Sequence, residues 1–229
     1  MSNNSMVQMN RRMLLTMGGG AFFLAGCQAA APGMMGAMMG GSGKDADWGS
    51  LIKSLHAALD KIADQTEELI SIQASYAEVF KLKDNAAKWK GKAIAAKNGR
   101  SGIKLSDVTK ASESQQKEIK KLLANGYALD ARGKRTLEKG LRRHQKAIEN
   151  AWVGAAMVVK VVVDARSAKK PSFRDIESVK YMKEILADGP MAIKFVQTSK
   201  KTYEAYSDTF AYEAKIVVPK PKKLAPLKF

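Results

Sequence analysis

Between residues 52 and 80, Ile52, Leu55, Leu59, Ile62, Thr66, Leu69, Gln73, Tyr76 and Phe80 recur at strictly alternating intervals of three and four. Such spacing keeps one face of an α-helix apolar turn after turn, and a helix with that face needs other helices to cover it. Thr66 and Gln73 are its two polar interruptions. The pattern therefore predicts an all-α fold of coiled-coil type. Its first helix starts near Asp47 and reaches about Asn98, with or without a break near Asp84, and Asn98-Gly99-Arg100-Ser101-Gly102 is the stop.

Ser106-Asp107 supplies a new N-cap, and no proline follows until Pro171. Gly126, Gly133, Gly140, Ala147 and Gly154 fall at sevenfold spacing. A mid-helix glycine costs up to about 1 kcal/mol relative to alanine, so the stripe calls for a neighbouring helix at close approach. That favours one long helix, with two helices joined at Asn125-Gly126 as the alternative. Leu137, Leu141, Ile148, Ala155 and Val162 carry the seam into "AWVGAAMVVKVVVDA", residues 151–165. This segment is too short to span a bilayer and reads as a helix buried in a bundle. A membrane-active segment and a valine-rich strand are the other readings.

Pro171-Ser172 opens a further helix, with Ser172 as cap, Asp175 three residues on, and Ile176, Val179, Met182 and Leu186 as its inner face. Gly189-Pro190 ends it and starts the next. There Ala192, Val196, Ser199, Tyr203, Tyr206 and Phe210 repeat the four-three rhythm. These last two helices either extend one another or fold back. The final "KIVVPKPKKLAPLKF" has five lysines, three prolines and no acid, and reads as an extended basic tail. The expected molecule is an elongated antiparallel helical bundle, a coiled-coil-like hairpin with two further helices, over residues 47–214, with the tail at 215–229.

If the first two long helices fold back about a turn near 102, residue i lies beside residue 204 minus i. Asp60, Asp64, Glu67 and Glu68 then face the basic region Arg132, Lys134, Arg135, Lys139, Arg142, Arg143 and Lys146. Exposed pairs of this kind contribute about 0 to 1 kcal/mol each and set register more than stability. Between Lys81 and Lys121, twelve Lys and Arg meet four acids, a net +8. An unbroken first helix would hold that turn as much as ~75 Å from its start. Lys88, Lys90, Lys92, Lys97, Arg100 and Lys104, with Trp89 among them, are candidates for contact with an anionic surface. A merely solvated lysine-rich end is the plainer reading.

Upstream of the bundle, Arg11 and Arg12 precede the short apolar run Met13–Leu24, and Leu24-Ala25-Gly26-Cys27 follows. This run is too short to anchor as a helix. Leu24, Ala25, Gly26 and Cys27 resemble the lipobox of bacterial lipoprotein precursors. The resemblance implies residues 1–26 as a signal peptide cleaved before Cys27, a thioether-linked diacylglycerol on Cys27, and usually a third acyl chain such as palmitate on the new amino terminus. Two or more chains hold a protein on a membrane where one does so marginally. Asn10-Arg11-Arg12-Met13-Leu14-Leu15 also resembles a twin-arginine export signal. The general secretory route is the alternative. Gln28, in place of the aspartate that marks inner-membrane retention in enteric sorting, leans toward the outer membrane. Residues 27–46, rich in Gly, Ala and Met, read as a flexible tether. Met34, Met35, Met38 and Met39 admit a second reading as soft Cu(I) ligands.

The formal charge of +17 falls to +15 once Arg11 and Arg12 leave, so the mature surface seeks anions. Head groups, cell-wall polymer or an acidic envelope protein fit; no motif supports sequence-specific nucleic-acid reading. A single cysteine excludes a disulfide within the chain, and two histidines without a free thiol exclude the usual Cys/His zinc site. A metal-handling protein is still possible through His56 and Asp60, four apart on one face, with His144 brought near Asp60 by the hairpin. No nucleophile, base and oxyanion donors come together, and no phosphate loop is present. The expectation is a non-enzymatic, cofactor-free spacer or accessory subunit of the cell envelope; metal handling and membrane activity through residues 151–165 are the alternatives.

Overall fold

The computed structural model describes residues 45–97, 105–220 and 222–228, the side chains of 95–97 excepted. The described residues form five α-helices: α1 (Trp48–Val79), α2 (Lys83–Lys97), α3 (Leu105–Ala124), α4 (Ala131–Ser167) and α5 (Ile176–Tyr212). The fold is all-α and bundle-like, as the three-four rhythm requires. All nine seam positions of α1 are buried, Thr66 and Gln73 included. Asp47, Asp130 and Asp175 cap α1, α4 and α5, accepting the amide hydrogens of Ser50, Gly133 and Ser178 at 2.9, 2.6 and 3.1 Å. Each thereby satisfies an otherwise orphaned first-turn donor. The cap expected at Ser172 thus falls three residues later.

Three long helices make the frame. A β-carbon added to Gly154 on α4 would lie 3.0 Å from the Ala58 carbonyl oxygen on α1, and one on Gly133 would lie 3.4 Å from Val79, so α4 runs antiparallel to α1. His56 meets Glu184 and Tyr76 packs on Phe210, so α5 runs parallel to α1. The glycine stripe does its expected work at Gly140 and Gly154, where a β-carbon would approach Tyr76 Cε1 to 2.6 Å and Ile62 to 2.9 Å.

Two chain reversals depart from the expected hairpin. α1 stops at Val79: the Leu82 amide donates to the Ala77 carbonyl at 2.8 Å, that of Lys81 to the Glu78 carbonyl at 3.1 Å, and Lys81 takes φ +56°. At the end of α3 the pattern repeats, Tyr127 donating to Leu122 and Gly126 to Leu123, both at 3.0 Å, with Gly126 at φ +84°. Both are Schellman closures, which need one left-handed residue just past the helix. Gly126 therefore ends α3 instead of joining the stripe, and the two-helix alternative is the observed one. The first reversal sends α2 back beside α1, Lys90 meeting Glu78, so α1 and α2 do not form the single long rod expected.

Within the folded-back pair the expected register survives. Asn85 donates to Glu118 at 2.8 Å and Trp89 to Gln115 at 2.7 Å, both on the alignment about 102. Between α1 and α4 the register is shifted by seven residues: Glu68 does face the basic region, but meets Arg143 rather than the Thr136 that alignment placed opposite, because the chain between them forms its own hairpin.

The segment 151–165 is helical and only half enclosed: Ala151, Gly154, Ala155, Val158, Val161, Val162 and Ala165 are buried, while Val153 is 57% exposed. Among the described residues no helix is long and apolar enough to cross a membrane. α5 passes uninterrupted through Gly189-Pro190, where a stop was expected. Its buried row is Ile185, Gly189, Ala192, Val196, Ser199, Tyr203, Tyr206 and Phe210, two members longer than the sequence suggested, and Gly189 packs onto Val162 too closely for any side chain. Burial on both sides of Pro190 outweighs its missing hydrogen bond. Ile176 lies off this row and is exposed, and Val179, Met182 and Leu186 are half-buried. The tail is extended as expected, yet it lies on the bundle. Ile216 is buried, Gln145 and Trp152 of α4 donate to the Lys220 and Ala225 carbonyls at 3.0 and 2.8 Å, and Lys222 pairs with Glu149.

Candidate anion-binding end

The sequence placed an anion-binding surface on Lys88, Lys90, Lys92, Lys97, Arg100 and Lys104. Lys88 is exposed on α2, Lys92 is half-buried, and Lys90 pairs with Glu78 at 2.6 Å. Trp89 is no surface aromatic: it is 2% exposed and its indole nitrogen donates to Gln115. The side chain of Lys97, with Arg100 and Lys104, lies outside the described residues. So do Arg11, Arg12, Leu24, Ala25, Gly26, Cys27 and the tether methionines.

A basic end does form, from other residues. The two Schellman reversals sit at the same end of the frame, since Phe80 packs on Tyr127 and the Tyr127 hydroxyl donates to the Val79 carbonyl at 3.1 Å. Lys81 and Lys83 follow α1, Lys120 and Lys121 close α3, and Arg132 and Arg135 open α4; all six are exposed. Of the acids nearby, Glu78 pairs with Lys90, Glu118 accepts from Asn85 and Asp130 caps α4, while Asp84 is exposed beside Lys83. Six exposed cations against so few carboxylates leave a positive field at that end. It lies about 48 Å from the start of α1 at 1.5 Å per residue. The alignment about 102 already set Lys81 and Lys83 beside Lys120 and Lys121; what it missed is that Arg132 and Arg135 join them, and the signal for that was Asn125-Gly126.

α2 and α3 are locked to the frame by buried amides. Gln115 donates to the carbonyl and side-chain oxygens of Gln73 at 2.9 and 3.0 Å, and Tyr206 donates to the Gln73 side chain at 2.8 Å. Tyr206 is held protonated by burial, its pKa well above the ordinary phenol value. His144 stands beside this network, packed edge-on against Tyr203, and burial pushes its pKa down to about 3. A cavity of about 10 Å³, room for one water, is lined by His144, Gln73, Ser112, Ser199 and Thr202 among others.

The metal site expected from His56, Asp60 and His144 loses its geometry here. His144 lies among Tyr76, Tyr203 and Tyr206, not by Asp60, and His56 is bonded to Glu184 at 2.7 Å. Among the described residues no three His, Cys, Asp or Glu side chains come together as a metal site would require. Comparison of the chain with protein-family models, curated proteins and solved structures finds no match.

Proposed function

We propose that the protein is a lipid-anchored spacer or accessory subunit of a bacterial cell envelope, held by acyl chains on Cys27 and presenting a basic end to an anionic polymer, membrane surface or acidic protein. The observation that carries this reading is the run from Arg11 to Cys27: a charged start, a short apolar stretch and Leu24-Ala25-Gly26-Cys27, followed by a Gly/Ala/Met spacer that joins a folded bundle. Gln28 favours the outer membrane. The protein acts without a cofactor and without turning over a substrate; its work is distance and attachment. The six cations from Lys81 to Arg135 join Lys88, Lys92, Lys97, Arg100 and Lys104 as proposed contacts, since the chain reversals gather the six at one end. Growth with labelled palmitate tests the anchor. Label enters the wild-type protein and is absent from Cys27→Ser; equal labelling of both, or of neither, would remove the reading.

A further inference from the structure

The opposite end of the bundle carries the two most exposed large apolar side chains among the described residues. Phe173, in the link between α4 and α5, is 84% exposed, and Ile176, in the first turn of α5, is 78% exposed. Single exposed apolar residues are ordinary; two such residues three apart in one turn concentrate apolar surface there. Lys169, Lys170 and Arg174 surround them, all exposed, and the Arg174 guanidinium stands 5.9 Å from the Phe173 ring centroid. The acids of the same turn face their own chain: Asp175 caps α5, and Glu177 accepts from the Tyr181 hydroxyl.

This turn lies where the tether departs. Lys169 is 3.7 Å from Asp45, just before α1, and seventeen residues separate Asp45 from Cys27. Even fully extended, a chain of that length reaches no more than about 65 Å. Acyl chains on Cys27 would thus keep the turn within a few tens of ångströms of the bilayer for as long as the protein stays anchored, a high effective concentration for a weak second contact.

Resting on the lipid-anchor reading, we infer that residues 169–176 are a second membrane contact: Phe173 and Ile176 enter the interface of an anionic phospholipid bilayer while Lys169, Lys170 and Arg174 stay at head-group level. Apolar side chains flanked by long cations are the composition that such an interface selects. The contact fixes which end of the bundle faces the membrane, and so turns the six cations from Lys81 to Arg135 away from it.

The test uses the chain from residue 27 onward, which contains every described residue, with Cys27→Ser so that no acyl chain contributes. It is mixed with vesicles of phosphatidylglycerol and phosphatidylcholine, or of phosphatidylcholine alone, and sedimented. Expected is binding to the anionic vesicles, weakened about tenfold by Phe173→Ser with Ile176→Ser. Both sites are exposed, so helical circular dichroism stays unchanged. Absence of binding, or binding indifferent to the double substitution, would overturn the inference; the latter would place the contact at the basic end or on another surface. Palmitate labelling of the wild type reads the anchor separately, so failure of the turn and failure of the anchor are distinguishable.

Discussion

A β-carbon at Gly189 would run into Val162 Cγ2, the side chain of a fully buried valine with nowhere to move, whereas one at Gly91 on α2 meets nothing within 4 Å. Alanine is the better helix former at both positions by up to about 1 kcal/mol. Thermal unfolding should therefore separate them: Gly91→Ala raises stability by about 0.5 to 1 kcal/mol, and Gly189→Ala lowers it by about 1 to 3 kcal/mol through overpacking. Two buried titrating groups also oppose each other. Burial holds His144 down at about 3 against an ordinary 6.5, so the unfolded chain takes up that proton first and stability falls as pH drops from 6.5 towards 3, by about 1.4 kcal/mol per pH unit. Burial, and then the charge of Glu184, raise Asp188 from 3.8 to about 6. Its folded carboxyl keeps a proton that the unfolded one has lost, so stability rises as pH drops from 6 towards 3.8. Chemical unfolding of the wild type is expected to change weakly from pH 6 to 4, while Asp188→Asn falls steeply over the same range. An equally flat profile in the variant would refute the assignment of the opposing slope to Asp188.

At the scale of elements, Gln115 ties the α2–α3 hairpin to the frame through Trp89, Gln73 and Tyr206, beside Gln116 on Thr209 and Lys90 on Glu78. Gln115→Leu keeps most of the volume but strands the Trp89 indole N–H, while the Gln73 carbonyl keeps its bond within α1 and the Gln73 side chain keeps the Tyr206 hydroxyl, at a cost of about 1 to 3 kcal/mol. Hydrogen exchange should then quicken in α2 and α3 and stay slow in α1, α4 and α5; uniform quickening would mean that the hairpin is no separable unit. The α1 seam was legible because periodicity reports burial directly, and the register about 102 was legible because α2 and α3 obey it. The reversal after α1 was not, since its left-handed position is held by Lys81, where a glycine or asparagine would have signalled it. Gly126 sent that signal and was outweighed by its coincidence with the sevenfold stripe. Pro190 misled in the other direction: a strong local breaker was overridden by burial of Gly189 and Ala192 on either side.

Taken whole, the molecule has two unlike ends joined by three long parallel and antiparallel helices. At one end Asp45, just before α1, pairs with Lys169 in the turn that exposes Phe173 and Ile176. At the other, Lys81, Lys83, Lys120, Lys121, Arg132 and Arg135 gather where two helix pairs turn back. That polarity was legible only in part: the alignment about 102 sets Lys81 and Lys83 beside Lys120 and Lys121, but nothing along the chain says that Arg132 and Arg135 share their end. The tail, legible as extended and basic, adds little to either end, since Trp152, Gln145 and Glu149 bind it along α4. The proposed role depends on the acylated end facing lipid and the basic end facing away, about 48 Å off. The most direct measurement places a fluorophore on the wild-type, membrane-bound protein at Ser172→Cys or at Lys121→Cys and quenches it with bromine-labelled lipids. Strong quenching at position 172 with little at 121 is expected; equal quenching at both, or stronger quenching at 121, would contradict the account.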